Sequence, residues 1–230
     1  IAPNCLQCHA QVFEGKLYIG LGNSFMDFSD KEILSVKRLE SAEKLLKTLY
    51  PKKHNASANF IEVTKTISPL LNTETRGVNA AGRLAAVLAS HRDPVTFRWS
   101  SQPLLEIPDQ VIPSDVPAWW LLKKKNGMFF TGFGRGDFGR FLMASNLLTV
   151  NDTSESAEVD RHMPDMLAYI NSIQPPVFPG KIDAELAEQG RIIFNDNCSR
   201  CHGTYGKDEL YPNLLIPQSV IQTDSLLEAA

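Results

Sequence analysis

Apolar residues recur at helical spacing along much of the chain, and the pattern predicts a mostly α protein with little sheet. Ile33, Val36, Leu39, Ala42, Leu46 and Leu49 fall on one face with lysines opposite. They predict a helix opened by a capping box at Ser29 to Glu32 and stopped by Pro51. Lys52 to Asn55 then reads as a polar, solvated connector. A second helix is expected after Arg76, because Val78, Ala81, Leu84, Ala85, Leu88 and His91 keep the same period. Its small residues, among them Ala80, Gly82, Ala86 and Ala89, leave room for the close approach of something flat or bulky, a cofactor or another helix. Further helices are predicted from Asp137 to Leu148, from Glu155 to Ser172 with an interruption at Pro164, and from Ile182 to Phe194. In the last, Asp183 suits the N-cap, and Leu186, Gly190, Ile193 and Phe194 share a face.

Between these helices lie two stretches of another kind. Gly15 to Ser24 is a glycine-punctuated loop with a short strand-like run. From Asp93 to Pro117 the prolines at 94, 103, 108, 113 and 117 stand too close for a regular helix and predict an ordered extended segment. That segment leads into an aromatic block from Asp115 to Arg140, which holds two of the three tryptophans, Trp119 and Trp120, and glycines at 127, 132, 134, 136 and 139. A core with a tight turn would account for the aromatics. Glycines this dense also imply a close backbone approach, as at a cofactor face. Arg135 and Arg140 could then pair with the carboxylates of such a cofactor.

The chemistry of the chain is concentrated in its cysteines. All four fall in two copies of one pattern, Cys5-Leu-Gln-Cys8-His9 and Cys198-Ser-Arg-Cys201-His202. Cys-x-x-Cys-His is the attachment signature of c-type haem. Two thiols add across the vinyl groups of one porphyrin, and the next residue sets an imidazole against the iron. A redox dithiol would sit in a βαβ pattern, and none surrounds these pairs. A zinc site built from both pairs would leave the following histidines unexplained. Two covalent haems are therefore expected, with His9 and His202 as iron ligands.

Composition narrows the class without changing it. At 230 residues, 43% hydrophobic and 21% charged with a net charge of -3, the chain is of an ordinary globular kind with no basic excess for nucleic acid. No apolar run approaches the ~20 residues that span a bilayer. Because haem is attached covalently outside the bacterial cytoplasm, the expected location is the periplasm or the exterior. Two units are expected: 1–175, an N-terminal haem domain, and 176–230, the start of a cytochrome c domain that stops short.

The two haem motifs, the Trp- and Phe-bearing block late in the gap between them, and the run from Tyr169 through Pro175, Pro176 and Phe178 into Gly190, Phe194 and Cys198 resemble the bacterial di-haem cytochrome c peroxidase superfamily. The nearest likeness is to its branch of di-haem rubber oxygenases and related peroxidases, and the tail Asn213 to Asp224 shares it. The resemblance implies an oxidoreductase whose N-terminal haem meets peroxide, dioxygen or a small organic substrate. Its C-terminal haem would exchange electrons with a partner protein. Trp119 or Trp120 would lie between the haems, and Phe133 or Phe130 in the distal pocket. The distal glutamate of the peroxidase branch has no clear counterpart, Glu106 being the nearest to the tryptophans. His91, His162, Met163 and Met166 are secondary candidates for iron ligation, against the ordinary reading of each as core or surface. The alternative reading is a pure electron carrier, or a cytochrome subunit of a larger complex, with both irons six-coordinate.

Overall fold

A computed structural model of the chain describes residues 5–31, 35–129, 132, 134–207, 209–223 and 225–226. Half of the described residues are helical, and the regular strands form one two-stranded hairpin, so the mostly α class is observed. The first motif closes a one-turn helix, α1 (Leu6–His9), which runs directly into the hairpin of β1 (Ala10–Phe13) and β2 (Lys16–Ile19). The strands pair antiparallel with Ala10 opposite Ile19. This hairpin is the strand-like run expected near Gly15.

The next two helices differ instructively from their expected form. The helix α2 (Val36–Leu49) begins later than Ser29, whose N–H and hydroxyl instead donate to Asp27 Oδ1 at 2.9 and 2.5 Å. Glu32, the other half of the expected capping box, lies outside the described residues. Pro51 does end α2, but Lys52 to Asn55 are no connector: the helix α3 (Pro51–Ile67) starts at the proline itself. Proline is favoured at a first helical position, where its missing N–H would have had no intrahelical partner. The two helices form a hairpin pinned by Glu43, which takes an ion pair from Lys65 and meets His54 Nε2 at 3.2 Å. Hydrogen bonds from Lys65 and then His54 hold the Glu43 carboxyl below its usual range.

The core gathers where α3 meets α4 (Ala81–Ser90). Val63, Ile67, Leu71, Ala80, Val87 and Leu88 are buried, with Phe28, Leu84, Trp99 and Leu148 packed round them. The expected stripe of α4 is thus a core face against α3. His91 is only 3% exposed; its Nδ1 lies 2.8 Å from the Ser100 carbonyl and its ring stacks on Trp99 at 4.8 Å. It is a satisfied core histidine. Its neighbour Arg92, equally buried, donates to the carbonyls of Phe97 at 2.7 Å and Leu147 at 2.5 Å, fastening the proline-rich segment to the helical body.

That segment is extended as expected, bridged to Asn79 at Ser114, and it ends in a 3-10 helix from Trp119 to Lys124. Then come α5 (Phe138–Leu142), with a 3-10 turn from Met143 to Leu148, and α6 (Thr153–Ser172), which runs through Pro164 without ending. An exposed stretch, 174–182, leads to α7 (Ala184–Asn197), capped by Asp183, whose carboxylate accepts from the N–H groups of Glu185 and Leu186 at 3.0 and 3.1 Å. The helix α8 (Ser199–His202) carries the second motif, and α9 (Gln218–Ile221) follows. Among the described residues no helix is long and apolar enough to cross a membrane.

Leu88 is 1% exposed and Leu49 57%. Leu88→Ala should therefore cost about 2–5 kcal/mol of unfolding free energy, while Leu49→Ala should stay within about 0.5 kcal/mol, as read from urea denaturation midpoints.

Candidate functional site

The two Cys-x-x-Cys-His motifs take the same backbone form although they lie in different surroundings. In the first, the N–H groups of Cys8 and His9 donate to the Cys5 carbonyl at 3.3 and 2.9 Å. In the second, those of Cys201 and His202 donate to the Cys198 carbonyl at 3.1 and 2.9 Å. Each is one helical turn. Residues at i, i+3 and i+4 of such a turn lie on one side, so both thiols and the imidazole can address one ligand. Each cysteine is a free thiol. Burial, and next the charge of Cys5, pushes the Cys8 thiol up.

The His9 site is partly enclosed. Its ring stacks on Trp119 with centroids 4.7 Å apart and planes 24° from parallel. Trp119 is 8% exposed, and the contact is secured through Gly20, which donates to the His9 carbonyl at 2.7 Å and accepts from the Trp119 N–H at 2.9 Å. A Cβ at Gly20 would stand 3.2 Å from Trp119 Cβ and 3.3 Å from Ile173 Cδ1, and the backbone φ there is +88°. Glycine is thus required twice over, for its conformation and for the close approach. Burial lowers the His9 imidazole to about 4, so the ring is neutral at pH 7, the form that binds a metal. Among the described residues its buried Nδ1 has no hydrogen-bond partner, and neither has Trp119 Nε1.

The His202 site is open. Cys201 and His202 are exposed, and α7, which feeds the motif through the Cys198 N–H bond to the Phe194 carbonyl, has no buried residue. Leu186 is 64% and Ile193 62% exposed, although they share the apolar face expected to pack. Among the described residues from 171 onward, only Gly203 is buried. Gly203 turns the chain at φ +75° under the Leu210 carbonyl, and Thr204 and Leu210 exchange hydrogen bonds of 2.8 and 3.0 Å that close the loop.

One short element runs from the first site to the loop that follows the second motif. The 3-10 helix begins at Trp119, against His9, and ends at Lys124, whose ammonium pairs with Glu209 at 2.5 Å and lies 5.8 Å from the Tyr205 ring centre. At ~2 Å rise per residue, this element spans on the order of 10 Å. Trp120 faces elsewhere: with Lys16, Leu17, Tyr18, Gln174 and Val177 it lines a cavity of about 330 Å³. It is an open depression: Val177 is 92% and Leu17 57% exposed.

The remaining candidates are dispersed. Arg135 is exposed and donates through Nε to the Gly132 carbonyl at 2.9 Å. Arg140, also exposed, meets Asp160 at 3.4 Å and Asp137 at 4.0 Å. Phe133 and Phe130 lie outside the described residues. Met163 is 4% exposed core, Met166 is half-buried, His162 lies 3.5 Å from Glu158 at the surface, and Glu106 is exposed. Gly20, Lys124 and Asn213 had no role from sequence. A single glycine in a glycine-rich loop carries no mark of its contact, and Asn213 finds its partners 87 and 89 positions away.

The residues fit a covalent haem. Among the described residues no three His, Cys, Asp or Glu side chains converge as they would round a bare metal ion. A haem iron draws four ligands from its porphyrin. It asks of the chain only anchoring thiols and an axial imidazole, which each turn offers. The uncovered apolar face of α7 is a feature a bound group would complete.

No family model and no solved structure matches the chain. It is 29% identical over 133 residues to an uncharacterized protein, y4iM, of Sinorhizobium fredii. The match takes in 58% of this chain and 28% of the relative, so the chain spans little more than a quarter of that protein.

Gly20 and Gly15 both hold positive φ, but nothing stands within 4 Å of a Cβ at Gly15. Gly15→Ala should cost about 1–2 kcal/mol from backbone strain alone. Gly20→Ala should cost clearly more, because the added methyl also wedges Trp119 from His9. Thermal unfolding of the two variants side by side tests the contact.

Proposed function

We propose that the chain is an exported di-haem c-type cytochrome acting as an oxidoreductase. In this reading the haem at Cys5, Cys8 and His9 reacts with peroxide or dioxygen, and that at Cys198, Cys201 and His202 transfers electrons. The observation that carries the reading is the repeated turn: two separate segments present two thiols and an imidazole in one hydrogen-bonded form. A bound haem supplies one-electron and oxygen chemistry that side chains alone do not perform.

The chain's own part is to hold and connect. The four thiols anchor the two ring edges. Trp119 stacks against the His9 imidazole and restrains its plane, while Gly20 keeps the two in contact. Arg140 is already engaged by two carboxylates, which leaves it less suited to a propionate. The exposed edge at Cys201 and His202 suits contact with a donor or acceptor protein. The enclosure of His9 against the openness of His202 favours the enzyme over a simple carrier, because it gives the two sites unlike surroundings.

The test is maturation in a bacterium that exports the chain and attaches haem. The pyridine haemochrome should give two haems per chain, falling to one in Cys198→Ala/Cys201→Ala. Electron paramagnetic resonance should then show a high-spin ferric haem that binds cyanide and is retained in the double variant. No covalent haem after maturation would overturn the reading. Two low-spin haems inert to cyanide in every redox state would make the protein a carrier.

A further inference from the structure

We propose that Asn213 is a positioning residue: it fastens the second motif to the element that carries Trp119 and so sets the rate of electron transfer between the two sites. The inference rests on the di-haem reading. The step concerned moves one electron from one site to the other, oxidising the first as it reduces the second, with no bond made or broken and no further reactant.

The geometry is that of a clamp. Asn213 Oδ1 accepts from the Asn126 N–H at 2.7 Å, and its Nδ2 donates to the Lys124 carbonyl at 3.0 Å and to Tyr211 at 3.2 Å. One carboxamide thereby pairs with two backbone groups just after the 3-10 helix, as a peptide unit in a strand would. Asparagine suits the place for two reasons. Its side chain is both donor and acceptor, and its backbone tolerates the left-handed region in which Asn213 sits at φ +51°. Asp would lose the donor.

The other described ties at this joint are less able to fix a geometry. The Lys124–Glu209 pair has side chains 29% and 49% exposed, the class of ion pair that water and salt weaken most. Lys124 approaches Tyr205 only at 5.8 Å. Leu215 lies over Gly132, where an added Cβ would come within 2.7 Å of it. Meanwhile α7 buries nothing, and the stretch 174–182 that joins it to α6 is exposed throughout. Directional bonds from Asn213 to the backbone beside Lys124 therefore hold the second turn in place relative to Trp119. Electron transfer falls steeply with separation, so loosening this joint slows it.

The test uses the haem-loaded full chain with Asn213→Gly, which removes the carboxamide without straining the backbone, and Asn213→Asp, which keeps the acceptor. Equilibration between the haems is followed after pulse reduction, and the Asn126 amide by hydrogen exchange. In Asn213→Gly the amide should exchange about tenfold faster, the scale of one net hydrogen bond. Transfer should slow several-fold while the spectra and potentials of both haems stay as they were. Asn213→Asp should keep the Asn126 amide protected and give an intermediate rate. Fast exchange with an unchanged transfer rate in Asn213→Gly would overturn the positioning role, and an Asn126 amide still protected in that variant would overturn the clamp itself. A protein that carries no haem sinks the underlying reading and the transfer claim together, while the exchange measurement still reports on the clamp.

Discussion

The stacking of the His9 imidazole on the Trp119 indole is the contact on which the arrangement of the molecule turns. It joins the first described turn of the chain to the end of the proline-rich segment, across 110 positions of sequence, and it depends on Gly20 having no side chain. The peptide of Gly20 bonds to both residues, so the two rings are held by backbone rather than by their own attraction. A stacked aromatic pair adds only about 0.5–1.5 kcal/mol beyond its buried area. That would not order two distant segments without the two backbone hydrogen bonds and the wall provided by Ile173.

The body and the C-terminal part obey different physics. In the body, α3 and α4 face each other across a conventional apolar core, and the proline-rich segment is fastened to it by Arg92, a buried cation answered by carbonyl oxygens. From Asn171 onward no apolar side chain among the described residues is buried. An amphipathic helix owes most of its stability to the face it packs, so α7 with Leu186 and Ile193 exposed is a helix waiting for its core. On the proposed reading, a porphyrin attached at the C-terminal end of that helix is the apolar body that covers it. Cofactor binding and folding of this part would then be one event.

Local signals were legible in the sequence and distant ones were not. Asp183 caps α7 as its position promised, and the stripe through Leu84 and Leu88 faces the core. His91 has the ordinary role that a lone histidine on such a stripe suggests. Pro51 was read as a stop because a proline inside a helix breaks it, yet the same residue is favoured at a first position, and only the following turn decides between the two. Ser29 carried the letters of a capping box, but the carboxylate of Asp27 reaches its N–H and hydroxyl first. Which side chain would stack on His9, and which would clamp Lys124 and Asn126, rests on pairings a hundred positions apart, and no local period records them.

If both turns hold haem, their difference must come from the surroundings, since thiols, imidazole and backbone form are the same. The levers a protein has on an iron centre are axial ligand, hydrogen bonding to that ligand, and burial. His9 lies in a partly enclosed site, with an indole on one face and an Nδ1 that finds no acceptor. Without a carbonyl or carboxylate drawing on that nitrogen, the ring gains none of the added basicity that an outer hydrogen bond confers on a metal ligand. His202 is exposed, so water can serve as the acceptor there and can also screen the charge on the iron. On the proposed reading, one ligand set would thus sit in two settings, the more buried one at His9 and the more exposed one at His202.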